Sequence, residues 1–256
     1  MSFEAASNGQ APEQESVTDF SRRAHLSELM DEPCSYEDLH DCLRDLSAVN
    51  RVTFGYRPTL SWLAQFTSLP SEEYPLHVVD VGCGGGDVLR KIEKWAMRKR
   101  VALRLTGIDL NPMAIRAARA FTPKGSQIQW ISGDAYHFDS ANEPVDLVIS
   151  SLFTHHLADP EIVRFLEWME TRARHGWFIN DLYRSSGSGF GFKALAIAAR
   201  WHRFMRHDGP VSFRCAFLPE EWRLYAQAAG LSPHDIEVTS CWPARLCVAR
   251  TRSRTT

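Results

Sequence analysis

Apolar residues in this chain recur with two alternating periods. Short runs rich in β-branched residues read as buried strands: "LHVVDVG" from Leu76, "LRLTGIDL" from Leu103, "IQWISGD" from Ile128, "VDLVISS" from Val145 and "GWFINDLY" from Gly176. Between them lie stretches with helical spacing, from Leu89 through Trp95, in "NPMAIRAARA" and in "PEIVRFLEWMETRA". Asn111-Pro112 and Asp159-Pro160 each offer an N-cap followed by proline at the first helical position, which marks two helix starts. Repeated strand-helix units predict an α/β fold with a mostly parallel sheet and helices on both faces. Near the C-terminus "LPEEWRLYAQAAGL" reads as a helix ending near Gly230. "HDIEVTSCWPARLCVART" reads as two strands joined at Trp242-Pro243, a closing antiparallel hairpin at a sheet edge.

The flanking segments break this rhythm. Residues 1–17 are polar and small, too poor in apolar side chains to order themselves, and are expected to form a disordered tail. Residues 18–70 are expected to form an N-terminal helical cap, because "FSRRAHLSELM" and then "SYEDLHDCLRDLSAVNRV", with Leu39, Leu43 and Leu46, have amphipathic helical spacing. The main domain is assigned to residues 71–256. Within it, residues 184–217 interrupt the pattern with a glycine-serine turn and an aromatic, basic helix, a candidate lid. That helix suits either an acceptor wall or a packed face, including contact with a second copy of the chain.

Composition narrows the classes. The chain has 256 residues, 44% of them hydrophobic, enough for one large core, and a net charge of -2 gives no global basic field for nucleic acid. Its six cysteines contain no CxxC pair, and no signal peptide or membrane-length apolar run is visible, so a reduced, cytoplasmic setting is expected.

The chemistry concentrates in "VVDVGCGGGDVLRKI", where four glycines separate a strand from a helix and let a ligand approach the backbone. A dinucleotide fingerprint fails because Asp87 stands where its third glycine belongs, and no phosphate-loop Lys-Ser or Lys-Thr follows. The remaining pattern, D-x-G-x-G-x-G from Asp80 to Gly86, resembles the first motif of the class I S-adenosylmethionine-dependent methyltransferases. The resemblance continues in order through Asp109 of "LTGIDLNP", Asp134 of "ISGDA" and "VDLVISSLFTHHL", and extends to about Leu182.

This resemblance implies a Rossmann-like seven-stranded sheet and an S-adenosylmethionine site, with no metal expected. It implies close approach at Gly82, Cys83, Gly84 and Gly86, and Asp80 receiving the ligand ammonium group. Asp109 would accept the ribose hydroxyls and Leu110 would pack on adenine. Asp134 and the Ala135 N–H would meet the adenine edge, Ser150 or Ser151 would add polar contact, and Phe153 would line the sulfur end. As plain helix or turn caps, Asp109 and Asp134 would need no ligand.

Methyl transfer needs alignment first, and a base only when the acceptor loses a proton. His155 and His156 at the end of the fourth strand, and His207 in the lid, are the candidate bases; packing and turn formation are the competing role of the first two. "SSLF" lacks the Asn/Asp-Pro-Pro-Tyr motif of nucleobase amino methyltransferases, and the aromatic lid suits a greasy acceptor. The expected activity is O-methylation of a phenolic or polyketide-derived small molecule, as in bacterial secondary metabolism, with C- or N-methylation as the near alternative. A nicotinamide oxidoreductase and a non-catalytic cofactor-binding protein remain the readings from other classes.

Overall fold

The computed structural model describes residues 19–138 and 144–252, so the expected tail lies outside the described residues. Seven strands form one sheet in the order β3-β2-β1-β4-β5-β7-β6, where β1 is Leu76–Val81, β2 Leu103–Asp109, β3 Gln129–Ser132, β4 Val145–Ser151, β5 Ala173–Leu182, β6 Glu237–Cys241 and β7 Arg245–Thr251. The first five pair in parallel; β7 runs antiparallel to both β5 and β6. This is the Rossmann-like sheet with its antiparallel edge. Central strand β1 is buried at every residue, as the continuous apolar run requires of a strand covered on both faces.

Helices α3 (Asp87–Lys99), α4 (Pro112–Phe121), α5 (Asp159–Arg172) and α8 (Pro219–Ala228) supply the covers. One face packs Leu166, Met169, Trp177, Phe217 and Trp222; the other packs Leu89, Ile92, Leu105, Ile149 and Phe178. One proline-marked start holds, with Asn111 Oδ1 accepting from Met113 N at 2.9 Å. The other is corrected by one residue, because Ala158 is the N-cap of α5, its N–H held by Glu161 Oε2 at 2.8 Å, while the Asp159 carboxylate turns to Arg23 and Tyr225.

Ahead of the sheet, α1 (Tyr36–Val52) is capped by Ser35 Oγ, and α2 (Arg57–Leu63) follows. Leu39 and Leu43 of α1 pack on Ala114 and Ala117 of α4, while Cys42 and Val49 pack on Phe204 and Met205. One helix therefore joins the sheet domain to the insert.

Two sequence expectations are corrected. The segment Phe20–Met30 is an irregular strap instead of a helix. Its backbone bonds outward: Ala24 N donates to Arg214 O at 3.1 Å, and Leu29 N donates to Asp208 Oδ1 at 2.9 Å. Arg23 reaches Leu157 O at 2.6 Å, Cys215 O at 2.9 Å and Asp159 Oδ1 at 2.5 Å. These tertiary partners outweigh the segment's own periodicity. Similarly, the glycine-serine stretch of the insert is the first half of a helix. Ser185 Oγ caps α6 (Ser186–Ala198), which packs on α7 (Arg203–Cys215). Close approach holds it there, since a Cβ on Gly209 would lie 2.1 Å from the Phe192 ring. The ends of the insert meet where Arg184 N donates to Phe217 O at 2.9 Å, and the Arg184 guanidinium grips Glu221 through two hydrogen bonds.

Candidate functional site

The glycine turn follows β1 at the carboxyl ends of the parallel strands, where open α/β sheets leave a crevice. Gly82, Gly84 and Gly86 take φ of 68°, 50° and 72°, the left-handed region that disfavours a side chain. A cleft of about 670 Å³ opens beside the turn. It is lined by Asp80, Gly82, Cys83, Gly84, Asp109, Leu110, Asp134, Ala135, Ser151 and Phe153, so ten of the twelve cofactor candidates converge there, with the candidate base His156 beside them. Gly86 is placed apart: it starts α3 against Trp130, whose ring would lie 2.1 Å from a Cβ. Ser150 is also elsewhere, donating to Val81 O at 2.9 Å.

The carboxylates of the cleft differ in their state. Asp80 is 1% exposed, and neither oxygen has a hydrogen-bond partner among the described residues. Burial, followed by the nearby charges of Asp87 and Asp109, holds its carboxyl well above the usual carboxylate range. Asp109 accepts from Gly84 N at 2.8 Å and Asn111 N at 2.9 Å, one bond on each oxygen, which leaves further lone pairs free. Burial raises its pKa against those two bonds. Asp134 does cap its turn, accepting from Tyr136 N at 2.9 Å, while also lining the cleft. Leu110 projects 74% exposed at the mouth, and the buried Ser151 Oγ is unpartnered. Burial pushes the Cys83 thiol well up, which suits an inert wall.

A second, inner cavity of about 120 Å³ lies under α6 and α7. Met30, Leu46, Leu152 and His156 line both hollows, so the two adjoin there. Leu152 takes φ of 53°, an uncommon conformation for leucine, at the point where β4 gives way to the segment carrying both histidines.

The histidines take separate roles. His155 is a correction to the expected neutral base. Its Nδ1 lies 2.7 Å from Asp181 Oδ1 and its Nε2 3.4 Å from Glu28 Oε1. A carboxylate hydrogen-bonded at Nδ1 and a second within ion-pair distance of Nε2 hold the ring as an imidazolium. Burial alone would lower its pKa, but Asp181 and Glu28 prevail and raise it to about 10. His155 therefore has no lone pair with which to take a proton. His156 Nδ1 lies 2.9 Å from Asp31 Oδ2. That carboxylate only accepts, so it fixes a proton on Nδ1 and leaves Nε2 as the ring atom without that partner. Burial opposes ionisation of Asp31, but the hydrogen bond with His156, helped by the nearby His155 charge, prevails and lowers its pKa. His207 borders neither hollow; its half-exposed ring pairs with Asp208 at 2.8 Å.

Sequence reasoning missed Glu28, Asp31 and Asp181, and also Arg245, which lines the inner cavity. Glu28 and Asp31 belong to the strap and its continuation, where no local pattern singles them out. Asp181 carried a signal, a charged residue inside the apolar run "GWFINDLY".

The family described as Methyltransferase domain matches residues 78–176. Trans-aconitate 2-methyltransferase of Streptomyces avermitilis is 30% identical over 172 residues, covering 63% of this chain; the match spans 61% of that relative's length. The plantazolicin methyltransferase BpumL, solved with SAH and a triazolic desmethylPZN analog, superposes with a TM-score of 0.57 at 14% identity, covering 82% of this chain and 90% of that one. Human N-acetylserotonin methyltransferase with SAM gives 0.56 at 14% identity, over 86% and 57%. At such identities the solved structures establish a shared fold.

Proposed function

We propose that this chain, whose residues 78–176 match the family described as Methyltransferase domain, transfers a methyl group from S-adenosylmethionine to a hydroxyl oxygen of a small molecule. The observation that carries the reading is Asp80: a buried carboxylate with two unpartnered oxygens, in a cleft beside a glycine turn, waiting for a cation. S-adenosylmethionine supplies an electrophilic methyl on a sulfonium centre, together with an ammonium group, a ribose and an adenine. The cleft's residues fit those parts. Asp80 pairs with the ammonium group; Asp109 accepts from the ribose hydroxyls with the lone pairs left by Gly84 and Asn111. Leu110, otherwise exposed, covers adenine, and Asp134 and Ala135 meet its edge. Ser151 adds polar contact and Phe153 lines the sulfur end.

His156 stands where the two hollows join and holds the proton step. Its Nε2 takes the acceptor hydroxyl's proton as the oxygen forms its bond to the methyl carbon and the sulfur–carbon bond breaks. Asp31 orients the ring and stabilises the imidazolium. The Streptomyces avermitilis relative, named for trans-aconitate, supports a small-molecule acceptor. The inner cavity's largely apolar lining supports one with a hydrocarbon body. Among the described residues no helix is long and apolar enough to cross a membrane.

Calorimetric titration with S-adenosylmethionine and S-adenosylhomocysteine, followed by labelled-methyl transfer to a panel of hydroxylated acceptors, tests this reading. Binding of both with O-methyl products is expected. Failure of folded, ligand-free protein to bind either removes the reading, and C- or N-methyl products alone remove its oxygen-specific part.

A further inference from the structure

Among the polar groups that wall the inner cavity, most are already spent. Glu28 is taken by His155 and by the Ser212 hydroxyl. Asp208 accepts from Leu29 N, Met30 N and His207. Thr53 Oγ1 donates to Val49 O at 2.8 Å, both nitrogens of His155 are occupied, and His156 Nδ1 faces Asp31. Arg245 is different. It opens β7 at 6% exposure and lines the cavity. Its guanidinium makes one hydrogen bond among the described residues, from Nη2 to Asn50 Oδ1 at 2.6 Å, and no carboxylate there lies within ion-pair distance. A buried guanidinium stays charged, so its open donors face the cavity at a cost that an anion would offset.

We propose that the inner cavity recognises its acceptor by a carboxylate, which the open edge of the Arg245 guanidinium holds. This rests on the methyl-transfer reading for the word acceptor, though the anion site stands on Arg245 alone. The planar donor fork matches a carboxylate in two parallel hydrogen bonds. Leu46, Val49, Phe192, Met205 and Phe213 supply an apolar wall for the rest of the molecule. At about 120 Å³ the cavity is slightly smaller than an apolar cavity of about 150 Å³ that holds benzene, which sets the body at one ring or a short chain. Arg245 lines the inner cavity alone while His156 lines both hollows, so the acceptor is a molecule with a carboxylate at one end and its methylated atom at the other.

The test uses the full chain saturated with S-adenosylhomocysteine, titrated at matched ionic strength with butyrate, benzoate and phenylacetate, each against its own amide. At least one carboxylate is expected to bind about tenfold more tightly than its amide, a preference that Arg245→Gln erases and Arg245→Lys keeps in part, while S-adenosylhomocysteine affinity stays within about twofold. Carboxylates and amides that bind alike, or carboxylates that do not bind at all, overturn the proposal. So does an Arg245→Gln variant that loses S-adenosylhomocysteine and keeps its carboxylate preference, since Asn50 also lines the outer cleft and Arg245 would then serve the cofactor. If Arg245→Gln does not fold, the wild-type pairs and Arg245→Lys still decide. Should the wild type fail to bind S-adenosylhomocysteine, the methyl-transfer reading falls, and the same titrations on ligand-free protein still decide the anion site.

Discussion

In the outer cleft, Asp80 keeps a buried carboxylate with neither oxygen partnered; in the wall of the inner cavity, His155 sits between Asp181 and Glu28 with both nitrogens taken. Both groups are nearly sealed from water, so burial alone does not separate them. What separates them is whether folding itself delivers the counter-charge. Where it does, the group is structural and removing it costs stability. Where it does not, the fold carries an unmet electrostatic demand that a ligand can satisfy, and removing the group costs binding.

His155→Ala tests this contrast most severely. It leaves Asp181 and Glu28 buried without their cation, and is expected to cost about 3–5 kcal/mol in chemical denaturation. The pair also sets a pH window. The ring's folded pKa, about 10, lies above its ordinary value near 6.5, so its stabilisation is complete below about pH 6.5 and is lost as pH rises through about 10. Wild-type stability should decline across that window, with a flatter profile in the variant. An equal decline in both would separate His155 from the effect.

His156→Gln should do the reverse, leaving stability nearly unchanged while lowering kcat by about a hundredfold or more at constant cofactor affinity. An unchanged kcat would mean the acceptor needs no base. Asp80→Asn should weaken cofactor binding by about 1.5–3 kcal/mol and at the same time raise the melting temperature of the ligand-free protein, because it removes an uncompensated buried acid. A fall in both would make Asp80 structural. Its raised pKa adds a linked expectation: pairing with an ammonium group favours the ionised form, so below that raised pKa cofactor binding should release protons and tighten as pH rises. Calorimetry in buffers of different ionisation heat reads that release, and Asp80→Asn should abolish it. The smallest effect is expected at Leu110→Ser, about 1 kcal/mol or less in cofactor affinity with no change in folding stability, since the exposed leucine packs on little until adenine arrives.

The same contrast explains what was legible in the sequence. The outer cleft was readable because it is local: strand, glycine turn and helix lie within one short stretch, Asp109 ends a strand and Asp134 follows one, each at an end that the pattern marks. His155 was misjudged because its role is fixed by partners far along the chain. Asp181 is 26 residues away, and Glu28 is held in place through Ser212, 184 residues from it. The strap was read as a helix for a related reason: its apolar spacing is helical, but the donors and acceptors that claim its backbone belong to α7 and its edge. In α6 the glycines spoke for a turn, but a serine cap and contact with α7 made them a helix instead.

The strap is fastened on two sides, to the sheet domain through Arg23 and Asp159 and to the insert through Leu29, Met30 and Asp208. It works as a seam between the two parts. A shortened chain beginning at the first recognisable motif would therefore lose Glu28, Met30 and all of α1, and with them a wall of both hollows, while keeping every residue of the matched domain. A useful fragment keeps the stitching at Asp19 and Phe20, whose carbonyls accept from Arg214 and Arg184, and kinship judged on the matched domain alone says little about which acceptor the chain selects.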